Sequence, residues 1–143
     1  MKILITETTL DAIIEVNKQI PEFLEETKQT FEKRLKGKKS LLLVATIAKK
    51  DAGYLVGYKE NRKVFYIWMA GTIPSQRKKG VMKSLMNYAE RYAKKKGFKE
   101  IRIKTRNTRR AQLINLVKRG YLFDKVEKGP EPKENRIFLE KEL

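Results

Sequence analysis

The residues with the clearest chemical potential form the loop from Pro74 to Met82, which joins an apolar segment to an amphipathic one. Pro74 ends the apolar segment, and Gly80 lies directly before a predicted helix. A strand that enters a helix through such a loop directs free backbone N–H groups at one point, at the positive end of the helix dipole. The loop is therefore either an anion site or an ordinary connection with solvated lysines. Four basic residues surround it: Arg77, Lys78, Lys79 and Lys83.

Regular elements flank this loop on both sides. Val64 to Thr72 is apolar and aromatic, which predicts a strand. The segment from about Val81 to Lys96 repeats apolar residues with helical spacing, and Gly97 ends it. The predicted inward face of this helix consists of Met82, Leu85, Met86, Ala89, Tyr92 and Ala93.

A second chemically suggestive stretch follows that helix. Glu100 to Arg106 alternates apolar with basic residues, which predicts a strand with one wet or functional face. Asn107 and the residue after it precede another helix, predicted from Arg109 to Arg119, and Gly120 stops it.

The N-terminal part of the chain predicts one short strand, at residues 2–6, and two helices. Thr8 or Thr9 caps the first helix, Pro21 interrupts it, and the second helix runs to about Gly37. Its inward residues are predicted to be Phe23, Leu24, Phe31 and Leu35. The acidic residues among them predict a solvated face: Glu22, Glu25, Glu26 and Glu32.

The middle and the C-terminus predict further strands joined by short turns. Strands are expected at 40–49, 54–58, 121–126 and 136–139, with turns at 50–53 and 60–63. The element order is β-α-α-β-β-β-α-β-α-β-β, without repeats or linkers. We therefore expect residues 1–143 to form one α+β domain.

Composition limits the possible chemistry. The chain has no Cys and no His, which removes disulfides, thiolate chemistry and the commonest general base and metal ligand. Its formal charge of +17 favours polyanionic partners such as nucleic acid or phosphate-rich cofactors. No apolar run is long enough to span a bilayer, and the apolar start is too short for a signal peptide, so a cytoplasmic location is expected.

Two stretches resemble motifs of the GNAT family of N-acetyltransferases. Pro74 to Met82 resembles its acetyl-CoA-binding motif, Q/R-x-x-G-x-G/A, and Asn107 to Tyr121 resembles its later segment, in which Asn opens a helix that ends in Gly-Phe or Gly-Tyr. The resemblance implies a mixed, mostly antiparallel central sheet with about four helices. It also implies direct acetyl transfer from acetyl-CoA to a primary amine in a ternary complex.

The resemblance further implies how acetyl-CoA would bind, without a metal. Its pyrophosphate would lie on N–H groups from Arg77 to Met82, where Gly80 permits a close backbone approach. The pantetheine arm would pair with the backbone of Ala70, Gly71 and Thr72, between two strands that splay apart, and Asn107 would reach it. Asn115 either bonds to the cofactor or meets a local hydrogen-bond need. The implied cofactor residues are Ala70, Gly71, Thr72, Arg77, Lys78, Lys79, Gly80, Val81, Met82, Asn107 and Asn115.

The chain departs from the family pattern at several positions. Met82 replaces a Gly or Ala, Leu116 replaces the Tyr that protonates the thiolate, and Arg102 replaces a Glu. Catalysis then depends on alignment of amine and thioester, with the N–H of Thr72 as oxyanion donor. The amine's proton would pass through water to Tyr66, Tyr58 or Glu26, although core or rim packing is the more common role of such tyrosines.

The acceptor is left open by the sequence. The acidic residues near Glu22 suit a cationic amine, whereas the basic surface suits an acidic acceptor. Two alternative functions are a basic nucleic-acid- or ribosome-associated binding module and an acyl-CoA-binding pseudoenzyme. The chain could act as a monomer or a homodimer.

Overall fold

A computed structural model describes residues 1–143 and contains four α-helices and seven strands. None of the helices combines the length and the apolarity that a bilayer crossing requires. Single-turn 3₁₀ helices also form at Pro21–Phe23, Pro74–Gln76 and Pro132–Glu134. In chain order the elements are β1 (Ile3–Glu7), α1 (Leu10–Asn17), α2 (Lys28–Leu35), β2 (Ser40–Ile47), β3 (Lys50–Lys59), β4 (Val64–Thr72), α3 (Val81–Lys95), β5 (Glu100–Arg106), α4 (Arg110–Lys118), β6 (Leu122–Glu127) and β7 (Arg136–Glu142).

All seven strands join one sheet in the order β1-β2-β3-β4-β5-β7-β6. Every neighbouring pair is antiparallel except β4 and β5, which run parallel. The parallel pair arises because α3 carries the chain back along the sheet between these strands, whereas short turns join β2, β3 and β4. The predicted α+β fold with a mixed, mostly antiparallel sheet is confirmed.

Apolar clusters cover both faces of the sheet. Because side chains of a strand alternate between faces, Leu55 packs in the cluster that includes Leu85 of α3, while Tyr54 packs with Phe31 of α2. All four side chains are fully buried. Burial of a side chain of this size contributes about 1.5–3 kcal/mol, so these contacts fix the helices on the sheet.

The second helix starts later than the sequence predicted. Thr27 caps α2 and accepts a hydrogen bond from the N–H of Thr30 at 3.2 Å, so the residues after Pro21 form only a 3₁₀ turn. Phe31 is buried as expected, but Leu24 is 62% exposed. The prediction for Leu24 was wrong because this residue follows the turn and lies on no helical face.

The first hairpin turn also lies earlier than predicted. Ala48 and Lys49 have φ of 51° and 68°, the left-handed conformation that two-residue hairpin turns require. Lys50 already pairs with Ile47, and Gly53 lies inside β3. The predicted turn at 50–53 was wrong because an Ala-Lys pair seldom adopts this conformation and gave no signal.

Candidate functional site

The parallel strands β4 and β5 separate halfway along their length. They pair from Val64 to Ile67 and from Glu100 to Ile103, and beyond these residues β4 has no strand partner on that edge. β5 continues to pair with β7 as far as Arg106. The separation leaves backbone groups of β4 open between the strands, as the predicted splay requires.

A run of free backbone donors lies beside the end of β4. No N–H group from Lys78 to Gly80 donates to a backbone carbonyl, and the first donor in α3 is Ser84, which bonds to the Gly80 carbonyl at 3.1 Å. The N–H groups of Val81 to Lys83 therefore also lack an intrahelical acceptor. Six consecutive free donors therefore lie at the positive end of a 15-residue helix, an arrangement whose electrostatics favour an anion.

The backbone conformation of the loop exposes these donors. Lys78 and Gly80 have φ of 63° and 87°, and both are left-handed. In a turn that contains left-handed residues, successive N–H groups can point toward one concavity. A Cβ placed on Gly80 would approach only Ile3 Cδ1, at 3.8 Å, so the chain itself leaves the space beside Gly80 open.

Two clefts adjoin this point. The first, called here the loop cleft, has a volume of about 680 Å³ and lies between the donor run and the start of α4. The predicted residues that line it are Gly71, Thr72, Arg77, Lys78, Gly80, Val81, Met82 and Asn115. The second, called here the sheet cleft, has a volume of about 600 Å³ and includes Ala70 and Glu26. β4 therefore passes from the sheet cleft to the loop cleft between Ala70 and Gly71.

Arg77 differs from its expected placement. Its backbone N–H donates to the Pro74 carbonyl, so the free donor run begins at Lys78. Its guanidinium donates to the Thr72 carbonyl at 3.2 Å and pairs with Glu22 at 2.5 Å. Arg77 thus ties the loop to the α1–α2 segment and holds the end of β4 against it.

Asn107 and Lys79 line neither cleft. The Asn107 side chain donates to the Pro132 carbonyl at 3.1 Å, and its N–H donates to the Asn135 carbonyl at 3.0 Å. These bonds fasten the end of β5 to the β6–β7 connection. Lys79 Nζ bonds to Gln76 Oε1 at 2.9 Å and is exposed.

Tyr66 also lies outside both clefts, in the part of β4 that pairs with β5. Its ring packs against that of Tyr58, with the centroids 5.5 Å apart. Burial, followed by the nearby Tyr58, raises the pKa of the Tyr66 hydroxyl to about 12. The hydroxyl is therefore protonated at neutral pH, and the structure places Tyr66 beside Tyr58 but apart from the predicted residues that line the clefts.

A buried network positions Glu26 and its turn. Tyr54 donates to Asn17 Oδ1 at 2.7 Å, and the Asn17 amide donates to the carbonyls of Phe23 and Glu26 at 3.1 and 3.2 Å. Tyr54 and Asn17 are both almost fully buried. The network fixes the backbone of this turn, so that the half-buried Glu26 lines the sheet cleft.

Arg109 is a site residue that sequence reasoning placed only among general basic residues. It lines both clefts, and its guanidinium carbon lies 4.9 Å from the centre of the Phe23 ring. Burial lowers the pKa of Arg109, and the nearby Glu22 opposes that effect. The sequence signal for Arg109 was its position at the start of the helix after Asn107. The separation of β4 from β5 directs this helix start toward β4.

No group of three or more carboxylates could hold a metal ion.

Comparison with known proteins identifies the family. A family model for the acetyltransferase (GNAT) family matches residues 9–121. Among solved structures, a GNAT acetyltransferase from Elizabethkingia anophelis with acetyl-CoA bound has a TM-score of 0.80 at 20% identity, covering 99% of this chain and 98% of that chain. The ribosomal-protein-S18-alanine N-acetyltransferase of Escherichia coli has a TM-score of 0.85 at 14% identity, covering 99% and 94%.

A Bacillus subtilis acetyltransferase in complex with CoA has a TM-score of 0.76 at 20% identity, covering 99% of this chain and 98% of that chain. No curated protein sequence is significantly similar to this chain. At these identities the structures establish the fold, while the family model covers most of the sequence, including the donor run and all of α4. The chain belongs to the GNAT family of acetyltransferases.

Proposed function

We propose that this protein is an acetyl-CoA-dependent N-acetyltransferase that transfers the acetyl group directly to a primary amine in a ternary complex. The observation that carries the proposal is the run of six free N–H groups beside the open edge of β4. An anion site next to unpaired strand backbone suits a ligand with a pyrophosphate followed by an amide-bearing arm, which is the chemistry of coenzyme A.

The loop cleft offers suitable groups for each part of acetyl-CoA. The N–H groups from Lys78 to Lys83 would hold the pyrophosphate, with the Lys78 and Lys83 side chains adding charge at the cleft wall. The side chain of Asn115 also lines this cleft and would donate to the arm. The backbone of Ala70 to Thr72 would pair with the arm, as in strand addition to a sheet edge.

The bound cofactor supplies a thioester: the amine nitrogen forms a C–N bond to the acetyl carbon, the C–S bond breaks, and the amine proton is lost, giving an amide and a thiol. The residues of this chain align the reactants where β4 passes between the two clefts, at Ala70 and Gly71. We propose that the Thr72 N–H stabilises negative charge on the carbonyl oxygen.

Proton removal from the amine is assigned to Glu26, directly or through water. Glu26 is the half-buried carboxylate of the sheet cleft and its turn is fixed by Asn17. Tyr66 is the weaker candidate of the two, since its hydroxyl is protonated and lies outside the cleft. Leu116, at the position of the family's acidic Tyr, is fully buried in the core and supplies no proton.

Direct transfer is favoured by the composition of the chain. The absence of Cys and His leaves out the usual acyl-accepting nucleophile and its activating base. Initial rates of thiol release, measured while acetyl-CoA and amine are both varied, should therefore give intersecting reciprocal plots. Parallel plots, or a protein that gains 42 Da from acetyl-CoA and passes the acetyl group to added amine, would contradict direct transfer.

A control separates transfer from cofactor binding. The Glu26→Gln variant should bind acetyl-CoA as the unaltered protein does and release thiol at least about 10²-fold more slowly, the usual contribution of a general base. Acetyl-CoA binding without thiol release for any amine would instead identify an acyl-CoA-binding pseudoenzyme.

A further inference from the structure

The sheet cleft carries opposite charges on its two sides. One side, called here the acidic side, consists of Glu22, Glu25 and Glu26 from the α1–α2 connection, of which Glu22 already pairs with Arg77. The other, called here the basic side, comes from α2, β5 and β7 and consists of Arg34, Lys104, Arg106 and Arg136. Arg109, directly before α4, also lines this cleft. The volume of about 600 Å³ suits a small molecule rather than a folded partner.

The basic side concentrates like charges. Arg106 lies directly opposite Arg136 in the antiparallel register of β5 and β7. Residues in that relation have Cβ atoms about 4.5–5.5 Å apart, and like charges placed there are destabilising. Lys104 lies two residues before Arg106 and therefore on the same face of β5. The repulsion between these side chains would be relieved by an anion that lies among them.

Carboxylates of the chain do not neutralise this cluster. Arg136 approaches Glu127 at 4.0 Å, the limit of an ion pair, and the other three basic residues have no carboxylate partner. Arg102, on the same face of the same strand, instead bonds to both Glu100 and Glu140 at 3.4 Å. Arg102, which lies outside the cleft, thus has acidic partners, whereas Lys104 and Arg106, which line the cleft, have none.

Aromatic rings lie against two of the basic side chains. The guanidinium of Arg34 lies 5.0 Å from the centre of the Trp68 ring and donates to Tyr58 Oη at 3.3 Å. Lys104 Nζ lies 6.0 Å from the centre of the Phe138 ring. Burial, together with Arg136 and Arg34, lowers the pKa of Lys104. A bound anion would therefore meet two donors, Arg34 and Lys104, whose conformational freedom is already restricted.

We propose that the acetyl acceptor is a small amine that also carries an oxyanion, either a carboxylate or a phosphate. This inference rests on the proposed acetyltransferase function. The amine lies at the acidic side, beside Ala70 and Glu26, and the oxyanion lies among Lys104, Arg106 and Arg136. The charge on both sides is then compensated in one complex, which neither a simple alkylamine nor a polyamine achieves.

The test compares amines that differ only in the anion. Thiol release would be measured for ω-amino carboxylates of two to six carbons and for their methyl esters, and for phosphoethanolamine against ethanolamine. We expect kcat/KM to be at least tenfold higher for the anionic member of at least one pair. A carboxylate pair and a phosphate pair that respond differently identify the anion.

Variants locate the anion within the cleft. Arg106→Gln and Arg136→Gln, both at exposed positions, should lower kcat/KM at least tenfold for the anionic amine and leave that for its neutral partner unchanged. Arg91→Gln, which removes an exposed charge of α3 outside both clefts, should change neither. Thermal melts of each variant establish that it is folded.

Two results would overturn the inference. The first is equal or faster transfer to the neutral member of every pair while acetyl-CoA is turned over. The second is an equal loss for anionic and neutral amines in Arg106→Gln. Failure of the proposed function is distinct from both, because acetyl-CoA would then produce no thiol release with any amine.

Discussion

Gly80 offers a sharp test of the donor run because α3 has a matched glycine at its other end. Gly80 and Gly97 have φ of 87° and 92°, and a Cβ at Gly97 would meet no atom within 4 Å. Glutamate at either position costs about 1–2 kcal/mol through left-handed strain. With about 2.1 cal/mol/K of unfolding entropy per residue, that lowers the Tm by about 3–7 °C in both variants.

Only Gly80→Glu should lose cofactor binding. Acetyl-CoA at 100 times its Kd stabilises a binding protein by about 2.7 kcal/mol, which raises the Tm by about 9 °C at the entropy used above. A carboxylate about 4 Å from one phosphate charge costs about 4 kcal/mol at an effective dielectric constant of 20. That raises Kd on the order of a thousandfold, so acetyl-CoA should no longer raise the Tm of this variant.

The assay is differential scanning fluorimetry with and without acetyl-CoA on the unaltered protein, Gly80→Glu and Gly97→Glu. The two variants have the same added charge and equivalent backbone strain, so nonspecific electrostatic loss affects both. We expect a full shift for Gly97→Glu and none for Gly80→Glu. Equal shifts in both variants would refute the placement of the pyrophosphate beside Gly80.

Three further predictions concern the clefts and the core. Asn115→Ala should weaken acetyl-CoA binding about tenfold by calorimetry, the loss of roughly one hydrogen bond, with the Tm of the free protein unchanged. Tyr54→Phe leaves the buried Asn17 oxygen unpaired and should cost about 1–3 kcal/mol in urea unfolding. Tyr66→Phe should retain kcat. Because the folded pKa of Tyr66 is raised from 10.0 to about 12, its contribution to stability is complete below pH 10 and is lost as the pH rises toward 12. The Phe variant should therefore lose less stability across that interval than the unaltered protein.

The elements closest to the site were the most predictable from sequence. Long periodic segments identified β4 and β5 at their observed bounds and α3 to within one residue. The loop from Pro74 to Gly80 was recognisable because Pro fixes φ and ends a strand, and Gly permits the left-handed conformation before a helix. The α1–α2 connection was less predictable, since a 3₁₀ turn and a late N-cap at Thr27 leave no periodic signal.

Several features of the site depend on contacts between distant parts of the chain. The pairing of Arg77 with Glu22 joins residues 55 positions apart, so the motif alone suggested that Arg77 was free for a phosphate. Arg106 and Arg136 lie opposite each other because β5 pairs with β7, and α4 and β6 separate these two strands in the sequence. Sequence spacing could suggest a functional face on β5, but only the register reveals the unneutralised cluster.

We propose that the free N–H groups from Lys78 to Lys83 bind the pyrophosphate of acetyl-CoA. An ¹H–¹⁵N NMR titration of the uniformly labelled protein with acetyl-CoA observes these donors individually. We predict saturable downfield proton shifts for the amides of this run, with those of Gly97 and its neighbours unchanged. Binding that leaves the Lys78–Lys83 amides at their original positions, or shifts concentrated elsewhere, would contradict the account.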